Sequence, residues 1–186
     1  MRALRHKLIW MLLLTCLLST GMQLWQIYKI QRENQWLLEL TTGHDVAVDQ
    51  IATASLQVRL ARAVYLQQKQ RYDEALDTLS LIVGQGDEYL QAQSRYNLGN
   101  VYLHQAMAEV EAGRINQAVP LLTLAKQAYR QALTLDSGFW DAKYNLELAM
   151  RLLPEFDRIS QTEADDDAVS PSQLWTTLPG FPRGLP

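Results

Sequence analysis

Arg95-Tyr96-Asn97-Leu98-Gly99-Asn100-Val101-Tyr102-Leu103 is the stretch on which the fold turns. Around it, Gln93, Asn97, Asn100 and His104 fall three and four residues apart, a spacing that puts them on one face of an α-helix. The start of the stretch recurs downstream as Lys143-Tyr144-Asn145-Leu146. Such self-similarity marks a repeat architecture. Working outward, Val46 to Leu153 shows almost no strand alternation, while Leu, Ala, Gln, Arg and Tyr recur at spacings of three and four. Glycine or small polar residues interrupt the pattern near Gln68 to Arg71, Gly84 to Asp87, Gly113 to Asn116 and Ser137 to Gly138. The region therefore reads as all-α, with five helices in antiparallel hairpins.

Several stretches resemble tetratricopeptide repeats, which pair two helices with a small residue where they cross and a large residue filling the gap beside it. Leu98-Gly99 with Tyr102 is similar to the first-helix signature. Ala125, Tyr129, Ala132, Leu133, Leu135 and Asp136 are similar to the second-helix signature running into the inter-repeat turn. Ala63, Tyr72, Ala75, Leu76 and Leu79 resemble a more degenerate repeat before them. The separation of Gly99 from Ala125 exceeds the usual spacing, so the second repeat is expected to be elongated. Ser137 stands where the family often has proline, and Glu147 where a small residue would admit another helix. The last helix is therefore expected to be a cap, ending at Leu153-Pro154 because proline cannot continue it.

The N-terminus carries the compartment signal. Arg2, Arg5 and Lys7 precede an apolar run from Leu8 to about Tyr28 without a charged side chain. A spanning helix needs roughly 20 residues, whereas a cleaved signal has an apolar region of about 7 to 15. An uncleaved anchor is the favoured reading, with Trp10, Trp25 and Tyr28 at the two interfaces. A lipoprotein signal ending at Cys16 and cleavage near Ser19 to Gly21 are the alternatives. The first is opposed by the bulk of Thr15 and by the apolar chain beyond Cys16. The positive-inside rule keeps the basic end cytoplasmic and sends everything after Lys29 across the membrane. In a Gram-negative bacterium this predicts a single-pass inner-membrane protein with its soluble part in the periplasm.

Four segments result: an anchor over residues 1–30, a linker with a short helix over 31–55 that alternatively extends the anchor, a repeat domain over 56–154 and a tail over 155–186. The tail holds Glu163, Asp165, Asp166 and Asp167 followed by a proline-rich end, a composition expected to be disordered when free. Leu174, Trp175, Leu178, Phe181 and Leu185 are spaced among its prolines, as in a docking peptide.

Composition narrows the function. A net charge of -3 with scattered basic residues argues against nucleic acid as a partner. One cysteine, Cys16, cannot make a disulfide or a cysteine metal site. His6, His44 and His104 lie in three contexts, and no phosphate loop or nucleophile motif is present. Asp165 to Asp167 lack the alternating ligands, glycine and closing glutamate of a calcium loop. A catalytic role, a cofactor and a metal are accordingly not expected; a hydrolase subunit is disfavoured because no acid–base pair is evident. In tetratricopeptide proteins the first-helix face lines a concave groove, and its asparagines hold extended peptides. That resemblance implies a groove at Gln93, Asn97, Asn100, His104 and Asn145, with Tyr96 and Tyr144 adding apolar grip. A merely solvated face is the alternative. Arg95 and Lys143 fall at neighbouring positions and do not form an evident carboxylate clamp. Trp140 beside Phe139 reads as an anchor of the last helix against Tyr129 and Leu133, and Tyr65, Tyr72 and Tyr102 as inter-helix packing.

A narrower resemblance covers about residues 56 to 154. Val58 to Ala63, Arg71-Tyr72-Asp73-Glu74-Ala75-Leu76, Arg95 to Leu103, Leu122 to Arg130 and Trp140 to Glu147 are together similar to the MxaK family of accessory proteins from methanol-oxidation gene clusters. The anchor and the Gly184-Leu185-Pro186 ending also suit that family. The resemblance implies work beside a MoxR-type ATPase and von Willebrand factor A proteins in activating periplasmic methanol dehydrogenase, including its calcium insertion. The alternative is an adaptor of another envelope assembly for pili, secretion or cytochrome maturation.

Overall fold

The structure, a computed structural model, describes residues 2–163. Among these, seven helices and no strands form: α1 Arg2–Thr41, α2 Val48–Ile51, α3 Leu56–Gln68, α4 Tyr72–Ser80, α5 Glu88–Glu111, α6 Ile115–Leu135 and α7 Trp140–Glu163. All four expected breaks fall between helices, and five longer helices follow the single turn of α2. Helices α3 and α4 pair, α5 and α6 pair, α7 lies on α6, and α3 stands beside α5. The long pair has helices of 24 and 21 residues against 13 and 9 in the short one.

Helix α1 is unbroken, so the segment after Gln31 extends the apolar helix. Its N-terminal part is long and apolar enough to cross a membrane. Its last turns instead belong to the core: Trp36 and Leu40 are buried with Val46, Ile51, Val58 and Leu66.

The turns explain why the hairpins close. Helices α1, α3 and α5 end alike, each with a residue at positive φ: Gly43 (90°), Gln70 (59°) and Gly113 (74°). After α5, the Gly113 and Arg114 amides donate to the Val110 and Glu109 carbonyls, at 2.9 and 2.8 Å. Gln70 and Arg71 repeat this toward Gln67 and Leu66, both at 2.9 Å. This pairing satisfies carbonyls that a helix end otherwise leaves open. Helix α5 starts on Asp87, whose carboxylate accepts the Leu90 amide at 2.8 Å.

The two hairpins are stapled differently. Gly99 of α5 faces the ring of Tyr129 on α6 so closely that an added Cβ would lie 2.5 Å from it. Tyr129 is fully buried, with Leu103, Val110, Ile115 and Leu122 in the same apolar cluster. The short hairpin adds charge to its apolar seam of Val58, Ala63, Leu66, Ala75 and Leu79. Arg62 of α3 is buried, and its guanidinium donates to Asp45 at 3.1 Å and to the Val46 carbonyl at 3.1 Å. Arg71 reaches the same Asp45 at 2.6 Å and clasps Glu74 with two bonds of 2.6 Å. Burial raises the Asp45 carboxyl, but hydrogen bonds from Arg71 and Arg62, joined by their charges, outweigh it and hold it below the usual carboxylate range. The network ties the loop after α1 to both α3 and α4.

Two expectations about α7 need correction. The helix does not stop at Leu153-Pro154 but continues through Pro154 to Glu163, so residues 155–163 are helical. A proline removes one amide donor and bends a helix, yet the turns on either side can persist when packing holds the preceding ones; Ala142, Ala149 and Leu152 are buried here. Nor does Trp140 anchor the helix: it is 76% exposed, beneath the ammonium of Lys143 at 5.0 Å. Consecutive residues point in different directions at a helix start. Phe139 takes the inner place, 4.7 Å from the Tyr96 ring. Tyr65, Tyr72 and Tyr102 do pack between helices, as their spacing suggests.

Candidate partner-binding groove

Where α3 and α5 stand side by side at the end of α1, they leave an open groove of about 530 Å³. Helix α3 contributes Gln57, Leu60, Ala61, Val64, Tyr65 and Gln68. Helix α5 contributes Tyr89, Leu90, Gln93 and Asn97, and Leu40 and Thr41 of α1 close one end. None of these side chains is ionisable in the acidic or neutral range. The lining alternates apolar carbon with amides and hydroxyls, the chemistry that suits an extended peptide: apolar contact for its side chains and donors and acceptors for its backbone. None of its lining residues is a cation that would clamp a carboxylate terminus.

The structure brings only part of the expected set to this groove. Gln93 and Asn97 line it. Asn97 is largely buried, and its amide donates back to the Gln93 carbonyl at 2.8 Å. Asn100 and Asn145 are elsewhere. The Asn100 oxygen accepts the Tyr129 hydroxyl at 2.8 Å and the Asn145 amide at 2.9 Å, and Asn145 also donates to the Tyr96 hydroxyl at 3.3 Å. These residues join α5, α6 and α7 in an uncharged internal network. Tyr96 lies against Phe139 and Tyr129 and is a packing residue. Burial, reinforced by Tyr96, pushes the Tyr129 phenol well above its ordinary range. Tyr144 is exposed on the outer side of α7 beside Glu147, Leu148 and Arg151. His104 lies half-buried further along α5, where burial lowers its imidazole below the ordinary histidine range.

The cause is coverage, not spacing. Gln93, Asn97, Asn100 and His104 do share a stripe of α5, but α7 lies against the middle of it and α3 flanks its beginning. The α3 wall was missed, although Gln57, Leu60, Ala61, Val64 and Gln68 recur at the same spacings of three and four that singled out the α5 face. The proposed docking residues Trp175, Leu178, Phe181 and Leu185 lie outside the described residues. Among the described residues, no group of three or more histidine, cysteine or acidic side chains is placed to hold a metal ion. Comparison of the chain with family models, with curated proteins and with solved structures gives no match.

Proposed function

We propose that this protein is a membrane-anchored adaptor whose two hairpins act as a short tetratricopeptide-like array, with α7 as its cap, and hold an extended segment of a partner protein. The observation that supports this reading best is the uncharged groove between α3 and α5, bounded by the end of the anchor helix. In this reading α1 crosses a bacterial inner membrane once and the array stands in the periplasm. Holding a client there raises its effective concentration for other factors at the same surface. The resemblance to the MxaK family suggests the process: methanol dehydrogenase maturation, with calcium insertion assisted by a MoxR-type ATPase and von Willebrand factor A proteins. The role is holding, not chemistry. An adaptor of a pilus, secretion or cytochrome-maturation assembly is the second reading, favoured by the same groove.

The test places a photo-crosslinking residue at Gln93 in the groove, or at exposed Gln127 on α6, in the full-length membrane protein. Crosslinks to von Willebrand factor A proteins or methanol dehydrogenase at Gln93 and not at Gln127 are expected. Crosslinks only to pilus, secretion or cytochrome-assembly proteins at Gln93 would move the reading to the second process. The same products from both positions would discard the groove.

A further inference from the structure

A second, smaller cleft opens on α1 itself. It encloses about 220 Å³ between Trp25, Tyr28, Lys29, Arg32, Glu33 and Trp36, with Thr53 approaching from the loop after α2. We propose that this cleft binds the phosphate of an anionic phospholipid headgroup, from the leaflet at which α1 emerges. The inference rests on α1 crossing the membrane, and its parts fit that environment in order.

Positions 25, 28, 29, 32 and 36 form one stripe of a helix. Trp25 and Tyr28 close the apolar run, their rings 6.1 Å apart, where amphipathic aromatics favour the bilayer interface. Lys29 and Arg32 come next. At 1.5 Å per residue, Arg32 stands about 6 Å beyond Tyr28, comparable with a headgroup layer. The stripe therefore presents rings to the glycerol region and cations to the phosphates.

Electrostatics point the same way. No ion pair among the described residues uses Lys29 or Arg32; the pairs lie at Asp45, Glu74, Glu109 and Glu147. Glu33, the one carboxylate lining the cleft, accepts the Ser55 amide at 3.2 Å, which ties it to the body. The Arg32 guanidinium lies 4.5 Å from the Trp36 ring centre. Trp36 is held in the core, only 7% exposed, so it gives the guanidinium a rigid ring to rest against, and among the described residues no hydrogen bond uses the guanidinium donors, which remain for a forked grip on phosphate oxygens. The volume suits a headgroup and not a peptide.

The experiment uses the full-length protein in nanodiscs of phosphatidylcholine alone or mixed with phosphatidylglycerol. Lipid retention is read by native mass spectrometry and unfolding by heat. Wild type should retain phosphatidylglycerol selectively and melt higher in its presence. Lys29→Gln with Arg32→Gln should lower that preference about 30-fold, at roughly 1 kcal/mol per cation near the surface. Arg32→Lys, which keeps the charge but not the fork, should fall between. Equal retention by wild type and the double variant would overturn the site. Stabilisation by inorganic phosphate in phosphatidylcholine discs equal to that by phosphatidylglycerol would assign it to a soluble anion instead, overturning the lipid. Alkaline carbonate extraction separates the two levels of failure: a chain that washes off the membrane defeats the anchor, and one that resists extraction without lipid preference defeats only the headgroup site.

Discussion

The two hairpins share a buried apolar seam but supplement it with opposite polar chemistry. The long pair, α5 and α6, has enough length to bury a continuous apolar seam and adds an uncharged network at Asn100. The short pair, α3 and α4, buries a shorter seam of Val58, Ala63, Leu66, Ala75 and Leu79; it leans in addition on the end of α1 and on a charge cluster around buried Arg62. Neutral hydrogen bonds tolerate salt and ordinary acid, whereas a charge cluster depends on every member. Length, not residue preference alone, thus decides which device a hairpin needs.

The contrast can be broken most severely at Tyr129. Tyr129→Ala empties the centre of the long seam and should destabilise by about 4 kcal/mol, the usual range for deleting a buried aromatic side chain. Chemical denaturation in detergent, with hydrogen exchange to locate the loss, should find α5 and α6 opened and α3 still protected. Equal loss in both hairpins would mean that they are one cooperative unit. Asp45→Ala is the counterpart. It removes the nearest carboxylate from buried Arg62, which keeps the Val46 carbonyl and Glu74 at 4.0 Å, and about 2–3 kcal/mol is expected, toward the low side for a broken buried pair because Asp45 is partly exposed and these partners remain. Here the loss of exchange protection should begin in α3 and α4.

Gly99→Ala sharpens the seam argument. The new methyl strengthens helix propensity by about 1 kcal/mol but must displace a ring with nowhere to go, at about 1–3 kcal/mol. A net loss of about 0–2 kcal/mol is expected. Combining it with Tyr129→Leu should give less than the sum of the two changes, measured as a double-mutant cycle.

Acid should separate the hairpins in pH. His104 in α5 has a lowered folded value, so the unfolded chain binds the proton more readily and stability falls once the pH drops below about 6.5. Asp45 is also lowered, but for a carboxylate this gives stability above the ordinary range, lost only as pH falls through its folded value, below about 3.9. Exchange in α5 should therefore rise near pH 6, and in α3 only at far lower pH. His104→Gln should remove the first step alone.

The smallest effect belongs to the turns. Gln70 and Gly113 occupy equivalent left-handed positions, and Gln70→Gly should gain about 0.5–1 kcal/mol because that backbone region disfavours a side chain. Thermal melting resolves such a gain, and a loss would show that the Gln70 side chain has a role of its own.

The helices and their breaks were legible because periodicity and turn residues are local properties. Gly99 and Tyr129 were each legible as pattern positions, because small and large residues must meet where helices cross, but that Tyr129 fills the space at Gly99 was not. The groove was half legible: the α5 stripe is real, but which part of it α7 covers depends on contacts 45 residues apart in sequence, such as Asn145 on Asn100. Spacing along one helix carries no record of its neighbour. Pro154 misled for a related reason, since its local preference is only one term beside the packing of the turns before it. The burial of Arg62 was invisible as well, because its partners come from the loop after α1 and from α4.

Helix α1 enters the core at Trp36 and Leu40 without a break, so the body is mounted on a mast and does not swing on a tether. Leu40, at one end of the groove, lies about 18 Å along the helix from Tyr28. If α1 crosses a membrane as proposed, a partner held there would be carried at a set altitude and compass bearing above the bilayer. A glycine pair between Arg32 and Trp36 would leave every groove residue intact yet turn a fixed gauge into a loose leash.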